Sequence, residues 1–508
     1  MRLGARVTSM HEDDMAIYTT YTDSRGVSHT IRSQFVVGAD GKTGFVRKQY
    51  LEPLGVTMAH AGTPWEQYWV AMNWKMTLPT PTSHPHFPLW EKGYTPQQVY
   101  DSFFPSDFRF LCNPARAAVC GRFGLDRDRL WRFEFAVQEG ENPEEMANPD
   151  KIRQLVHPYI THPASRYGLS DGSQQVTYPL DCVDVLRCRP FHFSARSCNK
   201  WALGRAILCG DAAHVFPPFG GQGIASGFRD AISLAWRLRL MTLGPSSLCH
   251  REMLQGWFQE RKQQLEASLQ STVENGNYVT EPGLIRASVR DWSLWAMQII
   301  PSWRHWQRLG NRRDGMTQYE AGGIEPLAFV PGMKGGKNFP QVYVTAAQAS
   351  ASPARGRVHF SDDIIFSTSK RGVFQVVALL SSHTLVDAVV ADLRGLEEQT
   401  AGYLLEAEVS MFSNTARPTG SESEPRGQSQ TLYRSATASE FVQEHVISRE
   451  RPEPLEYNPQ RIFAEFGVGK YIILRPDRFV FAVCSSRSEL MEAAQRLLDF
   501  VERGSTWL

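Results

Sequence analysis

The residues most able to do chemistry lie between Gly204 and Gly223. An apolar run, Ala206 to Cys209, reads as a short buried strand that stops at Gly210-Asp211, where small residues let a ligand approach the backbone. After Ala212-Ala213-His214 and a loop stiffened by Pro217-Pro218, Gly220-Gly221-Gln222-Gly223 opens a helical pattern that continues through Asp230-Ala231 and Leu234 to Leu238. An acid at a strand end can accept a hydrogen bond from a ligand hydroxyl, and the free amides of a helix start offer a positive end to an anion. Together they suit a phosphorylated, ring-bearing cofactor, although an ordinary strand, loop and helix with small residues for packing would also read this way.

Phe35-Val36-Val37-Gly38-Ala39-Asp40-Gly41 is a second apolar strand ending in glycine and an acid, and Arg47 follows on what reads as a first helical turn. Taken alone, a hairpin strand and a turn explain it equally well.

The two stretches in this order resemble the DG and GD motifs of the FAD-dependent aromatic hydroxylases, the class A flavoprotein monooxygenases. The resemblance implies that Asp40, Gly41 and Arg47 serve the flavin and nicotinamide sides of a site. It gives Gly210, Asp211, Pro218, Gly221, Gln222, Gly223, Ile224 and Ala225 to the flavin, with Asp211 on the ribityl chain and the helix-start amides near flavin N1 and the C2 carbonyl. Two positions depart from the pattern: Gly44 stands where the family has serine, and Ala225 where it has asparagine. The implied cofactors are FAD and NADPH. The implied reaction is hydroxylation of a phenolic or aromatic polyketide-type substrate through a flavin C4a-hydroperoxide.

The implied fold is mixed α/β: an incomplete FAD-binding Rossmann-like domain, an inserted antiparallel substrate sheet and a thioredoxin-like C-terminal domain. The expected boundaries are 1–50 with the DG motif, 51–195 for the substrate sheet, 196–340 for the GD segment and connecting helices, and 341–508 for the C-terminal unit. A flexible insertion is expected over 412–440, where Ser, Thr, Gly, Pro and Arg dominate. Met15 to Asp23 and Thr30 to Gly38 read as a hairpin, while Trp69 to Trp74 and Leu130 to Val137 alternate like half-buried strands. No G-x-G-x-x-G unit precedes Phe35, and Gly221, Gly223 and Gly227 follow a long loop instead of a tight turn. The expectation is a chain that starts late, as a truncated hydroxylase sequence, with a non-catalytic paralogue acting as a binding or assembly partner as the alternative; recruitment of flavin through another chain is a third.

Within the substrate sheet Tyr178 and Arg187 are weak candidates to hold or deprotonate a phenol, beside Asp181 and Asp184; surface strand residues are the bland reading. His214 reads as a packing residue beside the flavin loop, and the Trp257 to Lys262 stretch as scaffolding. The 508 residues are 42% hydrophobic and 21% charged with net charge +1, which gives ample core and no case for nucleic acid or an anionic membrane. No secretory or spanning segment is visible, so a cytoplasmic protein is expected. The eight cysteines form no C-x-x-C and no zinc spacing, so no metal is expected. Only Cys484 lies in the C-terminal unit, which leaves that unit dimerisation, as a homodimer, or packing instead of redox exchange.

Overall fold

The computed structural model describes residues 1–61, 65–169, 175–243, 250–305, 307, 318–347, 358–382, 385–393, 395–400, 402–406, 408–414, 432–443 and 457–502. The N-terminal strands β1 (Arg6–Glu12), β2 (Ile17–Thr22) and β3 (Ser28–Ser33) form an antiparallel meander. The stretch from Thr30 to Gly38 is not one hairpin arm, as its apolar pattern suggested. It breaks after β3, and β4 (Val36–Gly38) joins a different sheet, because the Val36 amide donates to the Arg205 carbonyl at 2.9 Å.

The unit expected to carry the substrate is a sheet of β5 (Glu66–Met76), β6 (Arg109–Leu111), β7 (Ala118–Phe123), β8 (Leu130–Ala136) and β9 (Val183–Ser194), in the order β9-β5-β8-β7-β6. Alternation divides its two faces. Val70, Met72, Trp74 and Met76 of β5 join Phe133 and Phe135 of β8 in a core backed by α1 (Pro96–Phe103) and α2 (Pro149–Val156). Each such side chain, fully buried, contributes about 1.5–3 kcal/mol of transfer free energy. The opposite face carries Trp69, Ala71 and Asn73 of β5 opposite Ala136, Glu134 and Arg132 of β8.

The chain then returns. β10 (Ala202–Leu203) and β11 (Ala206–Leu208) pair with each other, and β11 runs parallel to β4, so that segments from both sides of the substrate unit share one sheet in the order β10-β11-β4. Three helices follow: α3 (Gln222–Leu243), α4 (His250–Val279) and α5 (Leu284–Ile299).

The C-terminal sheet comprises β12 (Tyr343–Ala346), β13 (His359–Phe360), β14 (Gln375–Leu380), β15 (Ser410–Ser413), β16 (Leu432–Ser435), β17 (Lys470–Leu474) and β18 (Val480–Cys484), ordered β13-β12-β16-β15-β14-β17-β18. Helix α6 (Arg487–Glu502) buries Leu490, Ala493, Ala494 and Leu497. Two expectations need correction. Strands enter both ends of the span 412–440 expected to be an insertion: β15 extends to Ser413 and β16 begins at Leu432, its place secured by pairing with both neighbours and by the Arg434–Glu440 ion pair at 2.6 Å; residues 415–431 lie outside the described residues. The C-terminal unit also starts before 341. Tyr319, Ile324 and Phe329 form a cluster with Phe479, and the Val330 amide donates to the Phe481 carbonyl at 2.8 Å.

A fully enclosed charge network ties α3 and α4 to this unit. Glu260 of α4 accepts from Arg237 of α3 at 2.7 Å and from both terminal nitrogens of Arg475 at 2.7 and 2.8 Å, while Asp477 accepts from Arg475 at 2.6 Å and from the Trp236 indole at 3.0 Å. Removing one member strands the others without water. Arg475→Ala is therefore expected to cost about 3–5 kcal/mol in denaturant unfolding, and Arg237→Lys, which keeps a charge but not the fork, less.

Candidate active site

The site is assembled where the strand ends of β4 and β11 meet. Arg47, on the short helical segment Val46–Leu51, is only 2% exposed. Its Nε donates to the Ala212 carbonyl at 3.1 Å, and its other nitrogens reach Glu52 and the Lys42 carbonyl. One guanidinium thus fastens the loop after β4 to the loop after β11. Asp40 accepts from the Val46 amide at 2.9 Å and so caps the segment that carries Arg47. A Cβ at Gly44 would overlap the Asp40 carboxylate, so the serine expected at that position has no room beside this acid.

Beyond β11 the chain turns sharply. Gly210 has φ 59°, a left-handed conformation that glycine adopts without strain, and its amide donates to Asp230 of α3 at 3.0 Å. Asp230 is completely enclosed and also bonds His214 Nε2 at 2.7 Å and Arg261 Nε of α4 at 2.9 Å. Burial alone would raise the Asp230 pKa, but the His214 hydrogen bond and the Arg261 charge outweigh it and hold the carboxyl below its usual range. His214 is itself fully buried, with its ring 4.8 Å from Trp201, as a packing role requires.

Asp211, next to this clamp, points the other way and is exposed. Gly220 and Gly221 have φ 102° and 63°, and nothing lies within 4 Å of a Cβ built at Gly221. The start of α3 is therefore a bare backbone cradle, with the Gln222 amide group donating to the Gly220 carbonyl at 3.0 Å and Gly223 and Ala225 half-buried behind it. Pro218 and Phe219 close the loop. Phe219 is fully buried, 5.4 Å from Trp65 and 5.3 Å from Trp69 of β5, which sets the Trp69 face of the substrate sheet over the loop.

The structure places Asp40, Gly41 and Arg47 after β4, Gly210 and Asp211 after β11, and Pro218, Gly221, Gln222, Gly223 and Ala225 in the loop before α3 and in its first turn; Arg47 joins the first two groups through the Ala212 carbonyl. Ile224 begins an exposed apolar stripe on α3 with Phe228 and Ile232. Tyr178 is elsewhere. Its hydroxyl donates to the Thr77 carbonyl at 2.6 Å inside the core behind the sheet, 4.8 Å from the Phe104 ring, and burial drives its pKa far up, so it is not free to take a substrate proton. Arg187 is exposed on β9, opposite Asn73 and 4.8 Å from the Phe191 ring.

Several groups were invisible to motif spacing. Glu134 is buried on the same face as Trp69, where desolvation raises its pKa against the lowering influence of Arg132 and Arg187. Lys42 reaches the His192 carbonyl at 3.1 Å, and burial together with Arg196 lowers its pKa. Arg196 in turn bonds Glu66 at 3.0 Å through Nε. His84, Asp181 and Cys182 also converge within 4.8 Å, a grouping that spacing did not reveal; His84 Nε2 is already hydrogen-bonded to Asp181 at 3.1 Å, which accounts for the cluster without an ion.

The Gly44 contact is directly testable. Gly44→Ala should displace the Asp40 carboxylate from the Val46 amide and lower unfolding free energy by about 1–3 kcal/mol. Retention of wild-type stability would show that the loop accommodates a side chain.

Residues 1–271 match the FAD binding domain family. Among curated proteins the chain is similar to the 3-(3-hydroxy-phenyl)propionate/3-hydroxycinnamic acid hydroxylase of Comamonas testosteroni, 26% identical over 299 residues that cover 59% of this chain and 42% of that protein. The enzyme of the same name from Shigella sonnei is 26% identical over 337 residues, covering 66% and 51%. The chain thus spans about half the length of these relatives. Among solved structures, aklavinone-11 hydroxylase with FAD and aklavinone shares the fold with a TM-score of 0.57 at 17% identity, over 97% of this chain and 74% of that one. The flavin-dependent monooxygenase PieE does so with a TM-score of 0.57 at 15% identity, over 98% and 76%. A match across more than half of the chain, spanning both of the strand ends that Arg47 fastens together, establishes that this protein belongs to the FAD binding domain family.

Proposed function

We propose that the chain acts as an FAD-dependent, NADPH-consuming monooxygenase that hydroxylates a phenolic or aromatic polyketide-type substrate. The observation that carries this reading is the exposed Asp211 beside the bare glycine cradle, held in place by the Arg47 and Asp230 fastenings and covered by an aromatic sheet face. The likeness to named hydroxylases in sequence and in fold supports it, and does not favour a non-catalytic paralogue.

The residues present fit the flavin side of FAD. Positive-φ glycines at 210 and 221 leave room for a ring to approach the backbone, and Asp211 has a carboxylate open to a ribityl hydroxyl. The amides of Gly223, Ile224 and Ala225 would face the ring's N1 and C2 carbonyl, where a helix start stabilises negative charge. Asp40, Gly41 and Arg47 would frame its other side, next to the nicotinamide. Bound FAD, reduced by NADPH, supplies activated oxygen to an electron-rich ring carbon. The chain's own residues do the rest: Trp65, Trp69 and Phe219 exclude water, while Asn73, Arg132, Glu134 and Arg187 form a polar patch on the covering sheet that can orient a phenol. Glu134, buried on this patch with desolvation holding its carboxyl above the usual carboxylate range, is the acid placed to exchange a proton with a bound phenol.

The C-terminal unit reads as thioredoxin-like: β14 is parallel to β15, and β17 runs antiparallel to β14 and β18. Its one thiol, Cys484, is fully buried and pushed up to about 12 by desolvation, which suits packing.

Asp211→Ala is expected to weaken FAD retention by about tenfold or more, with the circular dichroism and unfolding midpoint of the flavin-free protein unchanged, since the side chain is exposed and serves the ligand alone. Equal flavin absorbance in variant and wild type would refute the placement of the cofactor. Turnover of a phenol with loss of NADPH absorbance, present in the wild type and absent in the variant, would establish the activity.

A further inference from the structure

On the Trp69 face of the covering sheet two arginines stand side by side without an acid. The register of β9 on β5 sets Arg187 opposite Asn73, Arg189 opposite Ala71 and Phe191 opposite Trp69. That of β5 on β8 sets Asn73 opposite Arg132 and Ala71 opposite Glu134. Alternation therefore puts all of these side chains on one face. Arg187 and Arg189 share a single ring, their guanidinium carbons 4.8 and 4.5 Å from the Phe191 centroid, and both are exposed. Neither forms an ion pair among the described residues. Arg132 is placed differently: its Nε donates to Asn73 Oδ1 at 3.0 Å and lies 3.7 Å from Glu134.

Three cations thus meet one acid on this face, and the acid is enclosed while Arg187 and Arg189 are open to a ligand. Burial, and then the Arg189 and Arg132 charges, lower the Arg187 pKa, as expected of like charges held together. Such crowding on a rigid sheet is unfavourable, and an anion between the guanidiniums relieves it. Stacking on Phe191 holds both planar groups in place, and a guanidinium fork matches the two oxygens of a carboxylate. Ala71 leaves only a methyl group between Arg189 and Glu134, whose strands flank β5 and so stand about 9–10 Å apart, enough for one aromatic ring with its substituents. We propose that Arg187 and Arg189 form a clamp for a carboxylate of the aromatic substrate, which makes the substrate class an anionic phenol lying across Ala71, its acid group at the arginines and its hydroxyl toward Glu134. The inference rests on the monooxygenase reading and narrows it, because an uncharged aromatic would leave both guanidiniums unmatched.

The 508-residue chain, with FAD added, would be titrated calorimetrically with 3-hydroxyphenylacetate and with its methyl ester, which keeps the ring and hydroxyl but has no charge. The acid is expected to bind about tenfold or more tightly than the ester, as a charge-assisted contact requires. The double variant Arg187→Ala/Arg189→Ala should bring that ratio to about one with the unfolding midpoint unchanged, since both side chains are exposed. Arg189→Lys, which keeps the charge without the fork, should retain part of the preference. Equal affinity for acid and ester, failure of both to bind, or a preference that the double variant keeps would overturn the proposal. Failure of the monooxygenase reading is seen separately, as absent flavin absorbance or no loss of NADPH while the acid is still preferred over the ester.

Discussion

The Asp230 carboxylate is the constraint on which the candidate site rests. It is wholly enclosed, yet three groups from different parts of the chain converge on it: the Gly210 amide, the His214 ring and the Arg261 guanidinium. Few side chains could replace it, because only an ionised acid satisfies an amide, an imidazole and an arginine at once in the absence of water. With the loop held on α3 from behind, Asp211 is left to face outward. The lowered pKa of Asp230 means that this contribution to stability is present above the carboxyl's unfolded pKa and is lost as the pH falls through the folded value.

Arg47 does for the other loop what Asp230 does for this one. A residue that is nearly enclosed joins two loops separated by the whole substrate unit, and its bond to the Ala212 carbonyl lands one residue from Asp211. The second charge network, Arg237, Glu260, Arg475 and Asp477, acts at a larger scale by fixing the long helices against the C-terminal sheet. Such networks gain little net free energy over well-packed apolar residues but penalise any arrangement that separates their members. The placement of Glu260 and Arg261 side by side on α4 lets one helix turn serve both networks, toward the site and toward the C-terminal unit.

The covering sheet has a division of labour that follows from alternation. One face of β5 builds a core of large apolar residues; the other begins with Trp69 over the Phe219 loop and becomes polar toward Asn73. On the proposed function, a substrate on this face would meet aromatic side chains at the Phe219 loop and charged groups farther out, a mainly apolar surface with a few orienting polar groups. Glu134 differs from its arginine neighbours in being buried, which is why its proton affinity and not its charge distinguishes it.

Much of this was legible from residue order. The strands that end near Gly38 and Gly210, the glycine-led helix and the alternating strands at Trp69 and Leu130 all follow from periodicity and turn chemistry, which are local properties. Where the reading failed, the cause was non-local. The stretch before Gly38 splits between two sheets because the Arg205 carbonyl captures Val36; Leu432 to Ser435, polar and unremarkable in sequence, becomes a strand because neighbours exist on both sides; Tyr178 is absorbed by a core that only the packing of α1 on the sheet creates. The sequence by itself determined which residues could bind a cofactor, since backbone freedom, charge and helix polarity belong to residue type and spacing. Only the tertiary structure decided which were turned outward and which carboxylates were enclosed, because burial and electrostatic environment are set by what the rest of the chain brings alongside.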